Sequence, residues 1–255
     1  MIFRVLGCSG SELDRHHPCS FQIGINVLVD MGSAASRLTI GEQAKVSDIF
    51  LSHAHLDHTK DITFFAENIF TLSQAPVNIR GTKDTLEKLK AHLLNDRLWP
   101  DFTILPNKTK PILQYVPFEV GTPFLVGELE VLGIPVTHPG GCVALFFKSQ
   151  TGTLLYTGDT GPTEEVWKEV NRRNSDMKAI LLETSFPNRL ESVAEVSGHH
   201  TPSTLYQEME KIRFKNVPIF VYHMKAPYQG EIVQELDALN DERIRLLEPG
   251  MKIEF

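Results

Sequence analysis

The sequence predicts a layered α/β fold, on three observations. Short apolar runs of strand character alternate with helix-spaced segments in both halves of the chain. The 255 residues, 42% of them apolar, can bury a full core, and no linker, low-complexity run or repeat divides them. Residues 1–255 therefore read as a single domain. Several apolar runs also stop abruptly at a histidine or aspartate, and strand ends on one sheet edge are where loops converge into a site.

In order, residues 4–6 open as a strand. Gly7-Cys8-Ser9-Gly10 begins a polar loop to Ser20, and residues 21–30 resume the β pattern. Asp30 closes the run Val27-Leu28-Val29, where a carboxylate either caps a turn or orients a ligating histidine from behind. Ile49-Phe50-Leu51 is a buried strand that ends in Ser52-His53-Ala54-His55-Leu56-Asp57-His58. Helical spacing predicts helices over 58–75 and 82–95, the second capped by Thr82 with Leu86, Leu89 and Leu93 as its buried stripe. Residues 99–123 are strands and loops. Residues 127–135 form a strand with Leu129, Val131 and Leu132 inward, ending at Thr137-His138-Pro139-Gly140.

Residues 143–147 and 152–156 make a hairpin that ends in Thr157-Gly158-Asp159-Thr160-Gly161. A helix capped near Pro162-Thr163 runs to about residue 172, and a strand over 178–182 leads into Glu183-Thr184-Ser185-Phe186-Pro187-Asn188. Gly198-His199-His200-Thr201-Pro202 opens a helix to about residue 211. A strand over 217–222 ends in His223. A helix over 231–239 and a terminal strand pair, 244–246 and 252–255, complete the chain.

Composition excludes several functions. The formal charge is −7 and no stretch of five to eight residues is rich in Lys or Arg, so a footprint for gripping nucleic acid is missing. No run approaches the roughly eighteen apolar residues of a membrane span. Cys8, Cys19 and Cys142 are an odd trio without C-x-x-C spacing, which predicts free thiols in a reducing compartment. With no signal-peptide pattern after Met1, the cytoplasm is the expected location.

His53 and His55 at i and i+2 project to one side of an extended segment, with Asp57 and His58 just beyond. Four such donors from one short segment cannot easily all serve one tetrahedral ion but can serve two adjacent ions. His138, Asp159 and His223 each stand at or just past a strand end. Singly, a histidine beside a glycine turn or a Gly-Asp-Thr-Gly turn is ordinary structure. Together the seven make a metal-ligating constellation.

The ordered stretches H-A-H-L-D-H, T-H-P-G, T-G-D-T-G and Y-H-M resemble the motifs of the metallo-β-lactamase superfamily over nearly the whole chain. The resemblance implies an αββα sandwich with the site along one edge of the paired sheets. It implies that His53, His55 and His138 hold one divalent ion, that Asp57, His58 and His223 hold a second, and that Asp159 bridges both. Asp30 matches the family's buried aspartate. Zinc is the expected metal, although manganese or iron suits the same donors.

Within the superfamily, H-L-D-H, L-E-T-S-F-P-N at 182–188, G-H-H-T-P at 198–202 and Trp99-Pro100-Asp101-Phe102 are similar to the class II 3′,5′-cyclic nucleotide phosphodiesterases. Thr59 and Asp61 depart from that family, which usually has an apolar and a small residue there. This second resemblance implies hydrolysis of cyclic AMP, with cyclic GMP also accepted, to 5′-nucleoside monophosphates by a hydroxide bridging the two ions. Asp57 would orient that hydroxide, and His199 would bind the phosphoryl oxygens or protonate the ribose 3′ oxygen. His200 is the alternative for His199. Ser185, Phe186 and Asn188 would line the nucleoside pocket, with Phe186 stacking on the base.

The partner expected is thus a small cyclic nucleotide, with no stable nucleic-acid partner, no membrane, and a homodimer as the one self-association allowed for. Two rival reactions share the fold. A tRNA 3′-processing endonuclease shares the ligands and a G-H-x-T loop but usually carries an RNA-gripping arm between the motifs at His138 and Asp159. Here residues 139–158, twenty in all, fill that interval. The other rival is a lactone or thioester hydrolase. A metal-stabilised sensing module would need a blocked site, which the intact ligand set opposes.

Overall fold

A computed structural model describes residues Met1–Phe255. The first six strands, β1 (Ile2–Gly7), β2 (Ser20–Ile23), β3 (Val27–Met31), β4 (Asp48–Phe50), β5 (Val77–Gly81) and β6 (Leu113–Pro117), build one sheet. A second sheet contains β7 (Phe124–Val126), β8 (Leu129–Val136), β9 (Cys142–Lys148), β10 (Thr153–Tyr156), β11 (Met177–Glu183), β12 (Ile219–Tyr222) and β13 (Ile244–Leu246). β14 (Lys252–Glu254) returns to the edge of the first. The orders are β14-β1-β2-β3-β4-β5-β6 and β13-β12-β11-β10-β9-β8-β7.

Strand alternation sorts the side chains into layers. Val27, Val29 and Phe50 meet Leu154, Tyr156, Leu181 and Tyr222 between the sheets. Their neighbours Leu28, Ile49 and Leu51 face outward, onto Ile62 and Phe65 of the helix Asp61–Asn68 and Leu86 and Leu89 of the helix Lys83–His92. On the far side Leu155, Ile180, Leu182 and Val221 pack under Trp167 of the helix Glu165–Arg173, Leu205 of Pro202–Glu210 and Ile232 of Gln229–Ala238. The result is the expected αββα sandwich. No helix is long and apolar enough to cross a membrane, and all three cysteines are free thiols.

Four expectations need correction. Residues 21–30 are a hairpin, because Gly24 at φ +61° turns β2 into β3. The helix expected over 58–75 is two pieces, Leu56–Thr59 and Asp61–Asn68. Pro76 disfavours helical geometry just before it, and the chain turns through Ser73 into β5. Thr163 does not cap the next helix; its amide donates to the buried Glu208 carboxylate, 3.1 Å away. The terminal strands do not pair with each other: β13 lies beside β12 and β14 beside β1. Leu247 N still donates to Val221 O (2.9 Å), whereas Gly250 N donates to Val5 O (2.8 Å), so residues 247–250 hand the chain across the sandwich.

β4, β10, β11 and β12 lie in parallel stretches, and β8 runs the same way as β10 because both flank β9 antiparallel. Their C-terminal ends come to one edge of the sandwich. Glu208 anchors the helices nearby, accepting from Thr163 N and from Trp167 Nε1 at 2.5 Å. Glu208→Ala strands two buried N–H groups, at about 1–3 kcal/mol each. It is expected to lower the thermal midpoint by several degrees with metal content unchanged, as calorimetry and elemental analysis of the variant would read.

Candidate metal centre

All seven residues expected as ligands come together. Ligand atoms of His53, His55, His138 and Asp159 lie within 4.8 Å of one another, as do those of Asp57, His58, Asp159 and His223, so Asp159 belongs to both sets. Each histidine is presented by its local structure. His53 follows the end of β4, and His55 is the extended cap residue from which the helix Leu56–Thr59 starts. His138 follows β8, Asp159 follows β10, and His223 follows β12 in a left-handed conformation, φ +68°. Such a backbone is uncommon for a residue other than glycine, although histidine is among those that adopt it most readily. His223 N donates to Cys8 O at 2.7 Å, which holds the turn.

Hydrogen bonds behind the rings decide which nitrogen faces the centre. Asp30 Oδ2 accepts from His58 Nδ1 at 2.7 Å, and Gly198 O accepts from His138 Nδ1 at 2.9 Å. Ser52 Oγ, donating to Asp30 Oδ2 at 2.7 Å, accepts from His53 Nδ1 at 3.0 Å. Ser185 Oγ accepts from His223 Nδ1 at 2.8 Å and donates to Glu183 Oε2 at 3.1 Å. In His53, His58, His138 and His223 the Nε2 lone pair therefore points inward, the usual result of such partners behind metal-bound imidazoles. His55 turns Nδ1 inward, 3.2 Å from His138 Nε2.

The centre fits a divalent cation on its own geometry. His53 Nε2 and Asp159 Oδ1 are buried without any hydrogen-bond partner. His58 Nε2 and His223 Nε2 face each other at 3.4 Å while both Nδ1 protons are committed elsewhere. Buried polar atoms are rarely left orphaned, and opposed lone pairs repel unless positive charge lies between them. Burial pushes the pKa values of His53 and His138 down, which keeps both rings neutral and able to ligate. At His58 burial works the same way, but Asp159 and Asp30 outweigh it and hold its pKa well above that of a free imidazole. The two carboxylates thus attract positive charge to this ring, which a cation on Nε2 would supply in place of a proton.

Beside the seven stands a pair that sequence reasoning only half found. Glu183, fully buried at the end of β11, accepts from His199 Nδ1 at 2.6 Å and from Thr160 N at 3.1 Å. Burial opposes charge on both groups, yet their attraction prevails: Glu183 lies below the ordinary carboxylate range and His199 above the ordinary imidazole. The signal for Glu183 was present, since it terminates an apolar strand just as Asp159 and His223 do. The ring of His199 stacks on His223 at 5.4 Å and stands edge-on to His138 at 5.0 Å.

The other expected substrate residues divide. Phe186 is half-buried at the rim, its ring 5.9 Å from His199. Ser185 is fully buried, its hydroxyl held between His223 and Glu183. Asn188 spends its side-chain oxygen on Ser203 N at 2.8 Å, in the first turn of the helix Pro202–Glu210. His200 is fully buried, with Nδ1 on Thr204 Oγ1 at 3.1 Å, so of the two neighbours His199 alone adjoins the centre. Asp61, the departure noted in the sequence, caps a neighbouring helix by accepting from Ala35 N at 2.8 Å.

A sequence model of the beta-lactamase superfamily domain matches residues 24–243. The chain belongs to the beta-lactamase superfamily. A probable 3′,5′-cyclic-nucleotide phosphodiesterase of Yersinia pestis is 26% identical over 244 residues, covering 82% of this chain and 68% of that protein. The crystal structure of unliganded yeast PDE1 superposes with a TM-score of 0.84 at 16% identity, covering 100% of this chain and 99% of the other. The short form of human tRNase Z superposes at 0.72 and 16% identity, again over 100% and 99%. These likenesses establish the metallo-β-lactamase fold.

Asp30→Asn keeps the shape behind His58 but removes the charge. It is expected to weaken metal affinity about 10–100-fold, as competition against a chromophoric chelator would measure. A Cβ on Gly10 would strike the backbone carbonyl of His223. Gly10→Ala is expected to lose bound metal while retaining its far-ultraviolet circular dichroism.

Proposed function

We propose that this chain is a dinuclear metal-dependent phosphodiesterase that hydrolyses 3′,5′-cyclic AMP, and cyclic GMP also, to the 5′-nucleoside monophosphates. The observation that carries the proposal is two ligand sets sharing Asp159, with the Glu183–His199 pair alongside. His53, His55 and His138 would hold one ion, Asp57, His58 and His223 the other, with Asp159 common to both and zinc suited to this donor set. Two ions bound there would supply Lewis acidity to the phosphoryl oxygens and a nucleophile at neutral pH.

The side chains do the remaining work. Asp57, partly open to the cleft, orients the attacking oxygen through its free carboxylate oxygen, and Lys225 Nζ, 3.9 Å from Asp57 Oδ2, adds positive charge at the mouth. The 3′ oxygen of the ribose is a poor leaving group until it gains a proton. His199, its Nδ1–H fixed on Glu183 and its charged form favoured, supplies that proton from Nε2. Phe186 flanks this position and would contact the ribose. The family resemblance of the sequence and the Yersinia pestis relative support a cyclic nucleotide as substrate.

The endonuclease reading lacks a matching feature. β9 and β10 join in a tight hairpin through Ser149 and Gly152, with no arm extending from the interval between His138 and Asp159. A panel of cyclic AMP, cyclic GMP, 2′,3′-cyclic nucleotides, a lactone and a tRNA precursor tests the assignment. Cleavage of the precursor with both 3′,5′-cyclic nucleotides untouched would overturn it. Elemental analysis is expected to find two ions per chain, and a maximum of one at full activity would refute the dinuclear reading.

His199→Ala is expected to keep both ions and to lower kcat by about 10²–10⁴-fold. The loss should shrink on a substrate with a p-nitrophenolate leaving group, which needs little protonation. His223→Ala should lose metal and activity together.

A further inference from the structure

A cyclic nucleotide whose phosphate sits on the seven-residue centre must place its base somewhere within reach, and neither Ser185 nor Asn188 lines any of the five main cavities. On the opposite flank a cavity of about 430 Å³ opens directly beside His53 and His55. None of the seven centre residues lines the other four main cavities of the molecule. Its walls are mixed: Leu89 of the helix Lys83–His92, Leu93 just after it, Leu56 and Leu98 supply apolar surface, and Thr59, Lys88 and His92 supply polar groups. Leu56 and Leu98 are 62% and 64% exposed, so apolar surface lies open beside a polar centre. Leu98 is held there by a turn, its amide donating to Asn95 Oδ1 at 2.8 Å. Lys88, whose Nζ donates to Gly140 O and Asp84 Oδ2, stands between the cavity and the loop carrying His138.

We infer that this cavity is the nucleobase subsite, an assignment that rests on the cyclic-nucleotide reading and locates its selectivity. Small-molecule sites are concave and mostly apolar, with a few polar groups fixing orientation. A purine is flat, with apolar faces and a polar edge, and leucines on either side of a slot suit those faces. Phe186, by contrast, belongs to none of the main cavities and lies 6.1 Å from Tyr228, so it offers a rim and not a slot. No carboxylate lines the leucine cavity. Its other polar groups, Thr59, His92 and the Gly140 carbonyl, offer only uncharged acceptors to the N1–H and N2–H₂ that distinguish guanine, and Lys88 can donate to ring acceptors of either purine. The subsite therefore binds both purines with little preference.

The test uses the metal-loaded full chain. Leu98→Glu places a carboxylate at the mouth of the cavity, at an exposed position where the fold tolerates it. It is expected to raise the KM for cyclic AMP at least about tenfold, with kcat within about threefold and metal content unchanged. Leu98→Ala should raise KM by a smaller factor in the same direction. Photolabelling with an 8-azido derivative of 5′-AMP should mark peptides containing Leu56 or residues 83–98. An unchanged KM in Leu98→Glu, or label confined to Phe186 and Tyr228, overturns the subsite while leaving the phosphodiesterase reading intact. A wild-type chain that hydrolyses no cyclic nucleotide overturns that reading, and the subsite with it.

Discussion

The buried carboxylate of Asp30 holds the site and the sandwich together. Its two oxygens accept from Ser52 N at 2.8 Å, Ser52 Oγ at 2.7 Å, His58 Nδ1 at 2.7 Å and Tyr156 OH at 2.6 Å. Asp30 lies on β3 of one sheet and Tyr156 on β10 of the other, so a single side chain ties the two layers and aims a ligand. An ion taken fully out of water is costly unless such bonds replace its hydration. Its left-handed backbone, φ +53°, turns the carboxylate toward all four donors at once.

Glu183 repeats the arrangement on the other side. Through Ser185 it fixes His223, and directly it fixes His199, so one buried acid serves both a ring of the seven-residue centre and a ring beside it. The centre is thereby held between two buried carboxylates, one behind each sheet edge. Ligands supported in this way can stay in place without relying on the cation to organise them.

What was legible in the sequence follows from which forces are local. Strand alternation and the donors at strand ends are written in nearest neighbours, so a layered α/β fold and the seven candidate donors could be read directly, while the αββα arrangement followed from the motif resemblance. Ser185, Asn188 and His200 were singled out by type and proximity to His199, whereas their partners, His223, Ser203 and Thr204, were settled by packing and capping that the sequence does not display. The leucine cavity was invisible for the opposite reason. Leu89 and Leu93 carry the ordinary pattern of a buried helical stripe, and only the turn at Asn95 and the approach of Gly140 make one end of that stripe a wall. The separation of β13 from β14 likewise depended on two amide hydrogen bonds across the sandwich end.

The centre also joins distant parts of the chain: His58 and His223 are 165 residues apart yet meet at 3.4 Å. Closing so long a loop is entropically costly and has to follow the assembly of both sheets. A partly folded chain can offer only the local donors of 53–58, a weak and open set. Tight loading is thus coupled to completion of the fold, and by mass action a bound cation draws the population toward the finished sandwich. Metal supply would then govern how long each molecule survives in the cell as well as how fast it turns over.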